Sequence, residues 1–375
     1  MSKTSFMERK AKKLAEKQLY HASYLKAYEY HLNQIGDPEA EIFLKEKKEQ
    51  FEKQEQRFIR KAEKQDYNQK HRVWEIDFLR AIIIFCMLFE HLIFDFGYMF
   101  PGLFANGTFT NVPFFKTMNA FAQGYWIHPV RVGIRLLGLV ALAFLIGINT
   151  RFSRSNLKRG LILTSCGILM AGVFALGKSY GFCDEYPIMN VLVSYGLSLL
   201  IFSAFEAAFK RYEKAWPWIC LTIAVVILVS WVFVRYLNMR EGIDQKYRNF
   251  WFVYHGYADS IPRVSHFENA SFDDVTKILL GVYYYGDDWL GLFPTIGYVF
   301  LGAFVGNTVY KNGLSLLHCF DKKDRTTLNE NFNRYTKGFL FFGHHTLWIY
   351  LFHQVVYIGL ILLIAGLFMG LPLGI

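Results

Sequence analysis

Ile76-Asp77-Phe78-Leu79-Arg80-Ala81-Ile82-Ile83-Ile84-Phe85-Cys86-Met87-Leu88-Phe89-Glu90-His91-Leu92-Ile93-Phe94-Asp95-Phe96 is long and apolar enough for a membrane-crossing helix, yet it carries ionisable residues along its length. Arg80 and His91 are eleven residues apart. That is three helical turns to within about 20°, so both side chains lie on one helix face, roughly 16 Å apart along the axis. Asp77, Ile84 and Asp95 fall on the same face. An ionisable side chain inside a span costs about 2.5 kcal/mol or more, so a stripe of several must face protein or a wet cavity, not lipid. Taken singly, Arg80 also fits a snorkelling anchor at the cytoplasmic end, and His91 an interfacial residue that finds a hydrogen-bond partner. The set of Asp77, Arg80, His91 and Asp95 on one face is what points to chemistry.

Outward from this segment, the apolar residues of the 375-residue chain come in blocks of spanning length. At 53% hydrophobic residues the chain is too apolar for an ordinary soluble protein with so charged an N-terminus. Seven spans are predicted, at about 76–97, 128–148, 160–177, 188–207, 216–236, 291–309 and 339–366. The expected fold is therefore all-α, a polytopic membrane helix bundle. The first span follows some seventy polar residues, which does not suit a cleavable signal peptide.

Loop charges orient the bundle, because short cytoplasmic loops collect Lys and Arg. Arg151, Arg154, Lys158 and Arg159 follow the second span, Lys210, Arg211 and Lys214 the fourth, and Lys311, Lys322, Lys323, Arg325, Arg334 and Lys337 the sixth. Asp184 and Glu185 lie after the third. The N-terminus is thus expected inside and the C-terminus outside, with the plasma membrane as the expected location. The formal charge of +10 is largely topological, suited to anionic headgroups or a phosphate-bearing ligand on the inner face, and gives no case for nucleic acid binding. The five cysteines form no disulfide framework and no metal spacing such as CxxC, so no metal is expected.

Residues 1–72 form a separate cytoplasmic region, dense in Lys, Glu and Gln, ahead of a membrane domain over 73–375. Met7, Leu14, His21, Tyr28 and Ile35 recur every seventh position before Gly36-Asp37-Pro38, as do Leu44, Phe51 and Phe58 after it. This predicts a helical hairpin, or a short coiled coil pairing with a protein partner or with itself; a helix lying on the membrane suits the composition equally. The long external segment 237–290 mixes aromatics with Asp and Arg, as a cap over a substrate site would.

Counting from the cytoplasmic edges at about 1.5 Å per residue puts His91 and His353 in the outer half of the membrane. The inward-running second span places Arg131 and Arg135 there too, and Asp288 precedes the sixth span at the outer interface. Histidine serves as a general base near neutral pH. Asp95, one turn on, is placed to orient His91, and Arg131 or Arg135 to supply positive charge where an oxyanion develops. Burial alone also accounts for arginines that pair with acids, and for a His353 that satisfies a kinked helix.

Val73-Trp74-Glu75-Ile76-Asp77-Phe78-Leu79-Arg80-Ala81, followed by Met87, His91, Phe94 and Asp95, resembles the opening of the heparan-α-glucosaminide N-acetyltransferase catalytic-domain family. Arg80, ten residues, then His91 is also similar to the Arg/His signature of the acyltransferase-3 family. Asp288-Trp289-Leu290-Gly291-Leu292-Phe293-Pro294-Thr295-Ile296-Gly297 resembles the family's Asp-Tyr-x-Pro-x-x-Pro-Trp-x-Gly segment. Gly343-His344-His345-Thr346-Leu347-Trp348-Ile349-Tyr350-Leu351-Phe352-His353-Gln354 is similar to its Gly-Arg-x-Ser-Leu-x-x-Tyr-x-x-His-Gln ending. Ala81, Gly291, Thr295 and Val355 depart from it, and Val193 stands where His is frequent.

The resemblance implies acyl transfer from cytoplasmic acetyl-CoA to a hydroxyl or amino group of an extracytoplasmic glycan. In that scheme His91 is the base or a transient acyl carrier, Asp95 orients it, and Arg80, paired with Asp77, lines the donor's route together with Arg135. His353, Asp288 and Arg131 stand behind them at the catalytic and acceptor sites. A proton-coupled transporter or flippase, and a scaffold that recruits a partner through residues 1–72, are the competing classes.

Overall fold

The computed structural model describes residues 6–35, 38–70, 73–126, 128–179, 189–240, 271–279, 290–311, 316 and 338–373. The chain divides into two compact units, Met1–Arg72 and Val73–Ile375.

In the first unit, α1 (Phe6–Ile35) and α2 (Pro38–Lys70) pair along the heptad positions. His21 stacks flat on Phe51 with centroids 4.0 Å apart, and Tyr28 meets Phe43 at 5.0 Å, so the partner number falls as the residue number rises and the helices run antiparallel. His21 is buried in this seam, where a hydrocarbon would ordinarily sit. Its Nδ1 is satisfied by Glu55 Oε1 at 3.0 Å, which offsets the cost of burying a polar ring.

The second unit opens with α3 (Trp74–Phe94), which passes into a π-helical turn at Asp95–Met99. Short helices α4 (Phe100–Leu103) and α5 (Thr108–Asn111) and then α6 (Pro113–Trp126) follow. Next come α7 (Pro129–Ile148), α8 (Asn156–Ser179), α9 (Val191–Phe209) and α10 (Trp216–Arg240). After α11 (Phe272–Leu279) and α12 (Leu292–Thr308), residues 338–344 are helical, the backbone bends at His345 (φ −110°, ψ 20°), and α13 (Thr346–Ile361) ends in a second π-helical turn, Leu362–Phe368. All regular structure among the described residues is helical, apart from an isolated bridge between Phe104 and Leu373.

Each of the seven predicted spans coincides with one of these helical stretches. Asn156–Leu176, Val191–Phe209, Trp216–Phe233 and Thr346–Leu367 are long and apolar enough to cross a bilayer, and Gly133–Ile148 and Leu292–Thr308 are shorter apolar helices. The protein is an all-α membrane helix bundle. The last span is one apolar block in sequence but two helical pieces in space, broken at His345.

A buried apolar cluster joins α7, α9, α10 and α12 around Tyr195, Leu199, Phe202, Trp216, Val299 and Phe300. Here α7 and α12 touch backbone to backbone: a Cβ on Gly302 would overlap the Phe144 carbonyl, and one on Gly147 the Val299 carbonyl. Without a hydrophobic drive between helices in lipid, such small-residue contacts supply van der Waals energy for association. Asn190 caps α9 by accepting from Val193 N at 3.0 Å, and its Nδ2 donates to the Gly167 carbonyl at 2.8 Å, which ties α8 to α9.

Candidate functional site: a histidine pair between α3 and α13

The ionisable stripe of α3 faces the C-terminal helices. At its start, Asp77 is buried; its Oδ1 accepts from Arg80 Nη1 at 3.0 Å, and its Oδ2 is bound by His344 Nε2 at 3.0 Å. The approach is close because residue 343 is glycine: a Cβ there would overlap the Asp77 carbonyl. Ile84, one turn past Arg80, is buried as well.

Three turns beyond Arg80, His91 meets His353 with ring centroids 4.6 Å apart and planes at 71°, and Tyr350 stands edge-on to His91 at 6.3 Å. His353 Nδ1 lies 2.7 Å from the Tyr350 carbonyl oxygen. A carbonyl only accepts, so Nδ1 carries the proton, and a neutral ring then bears its lone pair on Nε2. That Nε2 is buried with no hydrogen-bond partner among the described residues. The orphaned nitrogen is the feature expected of a group kept for a reacting partner.

Asp95 is wholly buried. Its Oδ1 accepts from Gln354 Nε2 at 2.8 Å, and its Oδ2 has no hydrogen-bond partner among the described residues. The spacing of His91 and Asp95 suggests a carboxylate that orients the imidazole; Asp95 keeps helical geometry relative to His91, its N–H bonded to the His91 carbonyl, and its Oδ1 is bound by the amide on α13. Tyr357 Oη donates to the Leu88 carbonyl at 3.1 Å, one more tie between the same two helices.

Glu90, one residue before His91 and about 100° round the helix, faces α6 and α7. Its carboxylate accepts from Tyr125 Oη at 2.5 Å and from Arg131 Nε at 2.6 Å, while the Arg131 guanidinium lies 3.5 Å over the Trp126 ring. Arg131 is thereby committed to Glu90 and almost fully buried. Arg135, one turn further along α7, is half-buried.

Of the residues singled out from sequence, Asp77 and Arg80 lie at one end of the α3–α13 seam, and His91, His353 and Asp95 at the other, with Arg131 and Arg135 alongside. Asp288 and most of the proposed cap, residues 241–270, lie outside the described residues. Glu90, Tyr125, His344 and Gln354 belong to the constellation but were not among the predicted site residues. His344 and Gln354 sit in the Gly343–Gln354 stretch that carries the family resemblance, whereas no sequence spacing signals the Glu90–Arg131 pair. Among the described residues no group of three or more His, Cys, Asp or Glu side chains is arranged to hold a metal ion.

Fold and site together define a membrane-embedded helical protein whose first and last membrane helices enclose a pair of imidazoles. The family described as heparan-alpha-glucosaminide N-acetyltransferase, catalytic, matches residues 72–355, and the chain belongs to that family. It is a membrane acetyltransferase by that membership. No curated protein and no solved structure matches the chain.

Proposed function

We propose that the protein transfers an acetyl group from acetyl-CoA, bound from the cytoplasm, to a hydroxyl or amino group of a glycan on the opposite side of the membrane. The observation that carries this reading is the His91–His353 contact, with Nδ1 of His353 tied to the Tyr350 carbonyl. In the reaction the acceptor oxygen or nitrogen forms a bond to the thioester carbonyl carbon, the carbon–sulfur bond breaks, and the thiolate of CoA leaves. His91 takes the acceptor's proton and the leaving thiolate receives one in turn. His353, with its Nε2 lone pair directed away from its anchored nitrogen, supports His91 as a second proton acceptor.

Arg135 supplies positive charge near the imidazoles, where the tetrahedral oxyanion develops. Arg80, oriented by Asp77, lines the path by which the anionic donor arrives. The loop charges support an N-terminus on the cytoplasmic side, and a plasma-membrane location completes this reading.

The test is to incubate membranes containing the protein with acetyl-labelled acetyl-CoA and a mixed glycan fraction. Label on the glycan, dependent on the protein, is the expected result. Movement of the glycan across the membrane without any dependence on donor would overturn the proposal in favour of a transporter.

A further inference from the structure

Gln354 follows His353 directly on α13, and its amide is the bridge between that helix and the π-helical turn after α3. Nε2 donates to Asp95 Oδ1 at 2.8 Å and approaches Met99 Sδ at 3.0 Å, so one amide touches both ends of the turn Asp95–Met99. Adjacent residues on a helix are about 100° apart, so fixing the direction of residue 354 fixes that of residue 353. The neighbouring tie, Tyr357 Oη to the Leu88 carbonyl, sets the height of α13 but acts through a long side chain to a single acceptor. The bond to Asp95 joins a half-buried amide to a wholly buried carboxylate, and losing it leaves a buried acceptor stranded.

We propose that Gln354 is a positioning residue: its bonds to Asp95 and Met99 set the rotation of α13 so that His353 stands opposite His91. It rests on the reading of the site as an acetyl-transfer centre for its kinetic consequence, but the geometric consequence is independent of that reading.

Two readouts test it. In the first, the variant Gln354→Leu is assayed for acetyl transfer: kcat falls by about 10²-fold, the cost of misplacing a reacting group, while the KM for acetyl-CoA is unchanged. In the second, His91→Cys and His353→Cys are combined and oxidised with copper phenanthroline. The pair crosslinks readily with Gln354 present and about tenfold more slowly with Gln354→Leu, because a disulfide tolerates only a narrow Cβ geometry. Combining Gln354→Glu with Asp95→Asn reverses donor and acceptor across the same gap and restores crosslinking. That combination also keeps the test decisive if Gln354→Leu does not fold. Crosslinking equal in Gln354→Leu and the parent, or a donor–acceptor reversal that stays as slow as the single change, would overturn the proposal. If the parent transfers no acetyl group, the transferase reading fails while crosslinking still decides the role of Gln354.

Discussion

His344 reaches across to Asp77, Nε2 to Oδ2 at 3.0 Å, about four helical turns below the point where His353 meets His91 on the same face of α3. With Gln354 bound to Asp95, the ionisable stripe of the first membrane helix is stitched at three levels to the C-terminal segment. A stripe that would be costly against lipid is thus matched, residue by residue, by polar groups on one neighbour.

At the lower level, Asp77 divides its two oxygens between Arg80 and His344, which orients the half-buried Arg80 guanidinium. Arg80→Gln is expected to raise the KM for acetyl-CoA about tenfold, the worth of one charge-assisted hydrogen bond, with a smaller effect on kcat. Initial rates at varied donor concentration check it; an unchanged KM would remove Arg80 from the donor's path.

His353 has two separable duties. His353→Asn places an amide near the position of Nδ1 and retains the bond to the Tyr350 carbonyl, but it has no equivalent of Nε2. It is expected to melt near the parent temperature in detergent and to lose about 10²-fold or more in transfer rate. Parent-like turnover in His353→Asn would show that only the anchor matters.

Glu90 and Arg131 form an ion pair shielded from water by Trp126 and Tyr125. Removing one partner leaves a buried charge alone, so Arg131→Met is expected to destabilise the protein by about 3–5 kcal/mol, and Glu90→Gln combined with Arg131→Met to recover much of that loss. Denaturant unfolding in micelles measures both. A single change as mild as the double one would mean the pair is not the link between α3 and α7.

Close contact of α7 with α12 allows no side chain at Gly302, whereas a Cβ at Gly138 on α7 meets nothing within 4 Å. Gly302→Ala is expected to cost about 1–3 kcal/mol or more, and Gly138→Ala to be neutral or slightly stabilising. Thermal unfolding of the two variants side by side gives the comparison.

Much of the fold was legible because bilayer thickness writes itself into sequence as apolar block length. The blocks at 128–148 and 216–236 fall on α7 and α10 almost residue for residue. The heptads of residues 7–35 and 44–58 likewise include His21, Phe51 and Tyr28 of the α1–α2 seam, though Tyr28 meets Phe43, one position off the heptad. The stripe on α3 was legible because helical periodicity fixes which residues share a face. What that face meets was not. Glu90 binds Arg131 across 41 positions of sequence and Gln354 binds Asp95 across 259, and no local periodicity encodes contacts of such separation. The π-helical turn Asp95–Met99 likewise has no compositional signature in the sequence. The bend at His345 falls in Gly343-His344-His345-Thr346, a polar interruption that reading 339–366 as one span passes over.

Everything in the proposed chemistry depends on the imidazole of His91. Purified protein carrying His91→Ala, incubated with acetyl-labelled acetyl-CoA and the glycan acceptor that the parent protein labels, is expected to transfer no label while unfolding at the parent temperature. Donor-dependent transfer at the parent rate by that variant would contradict it.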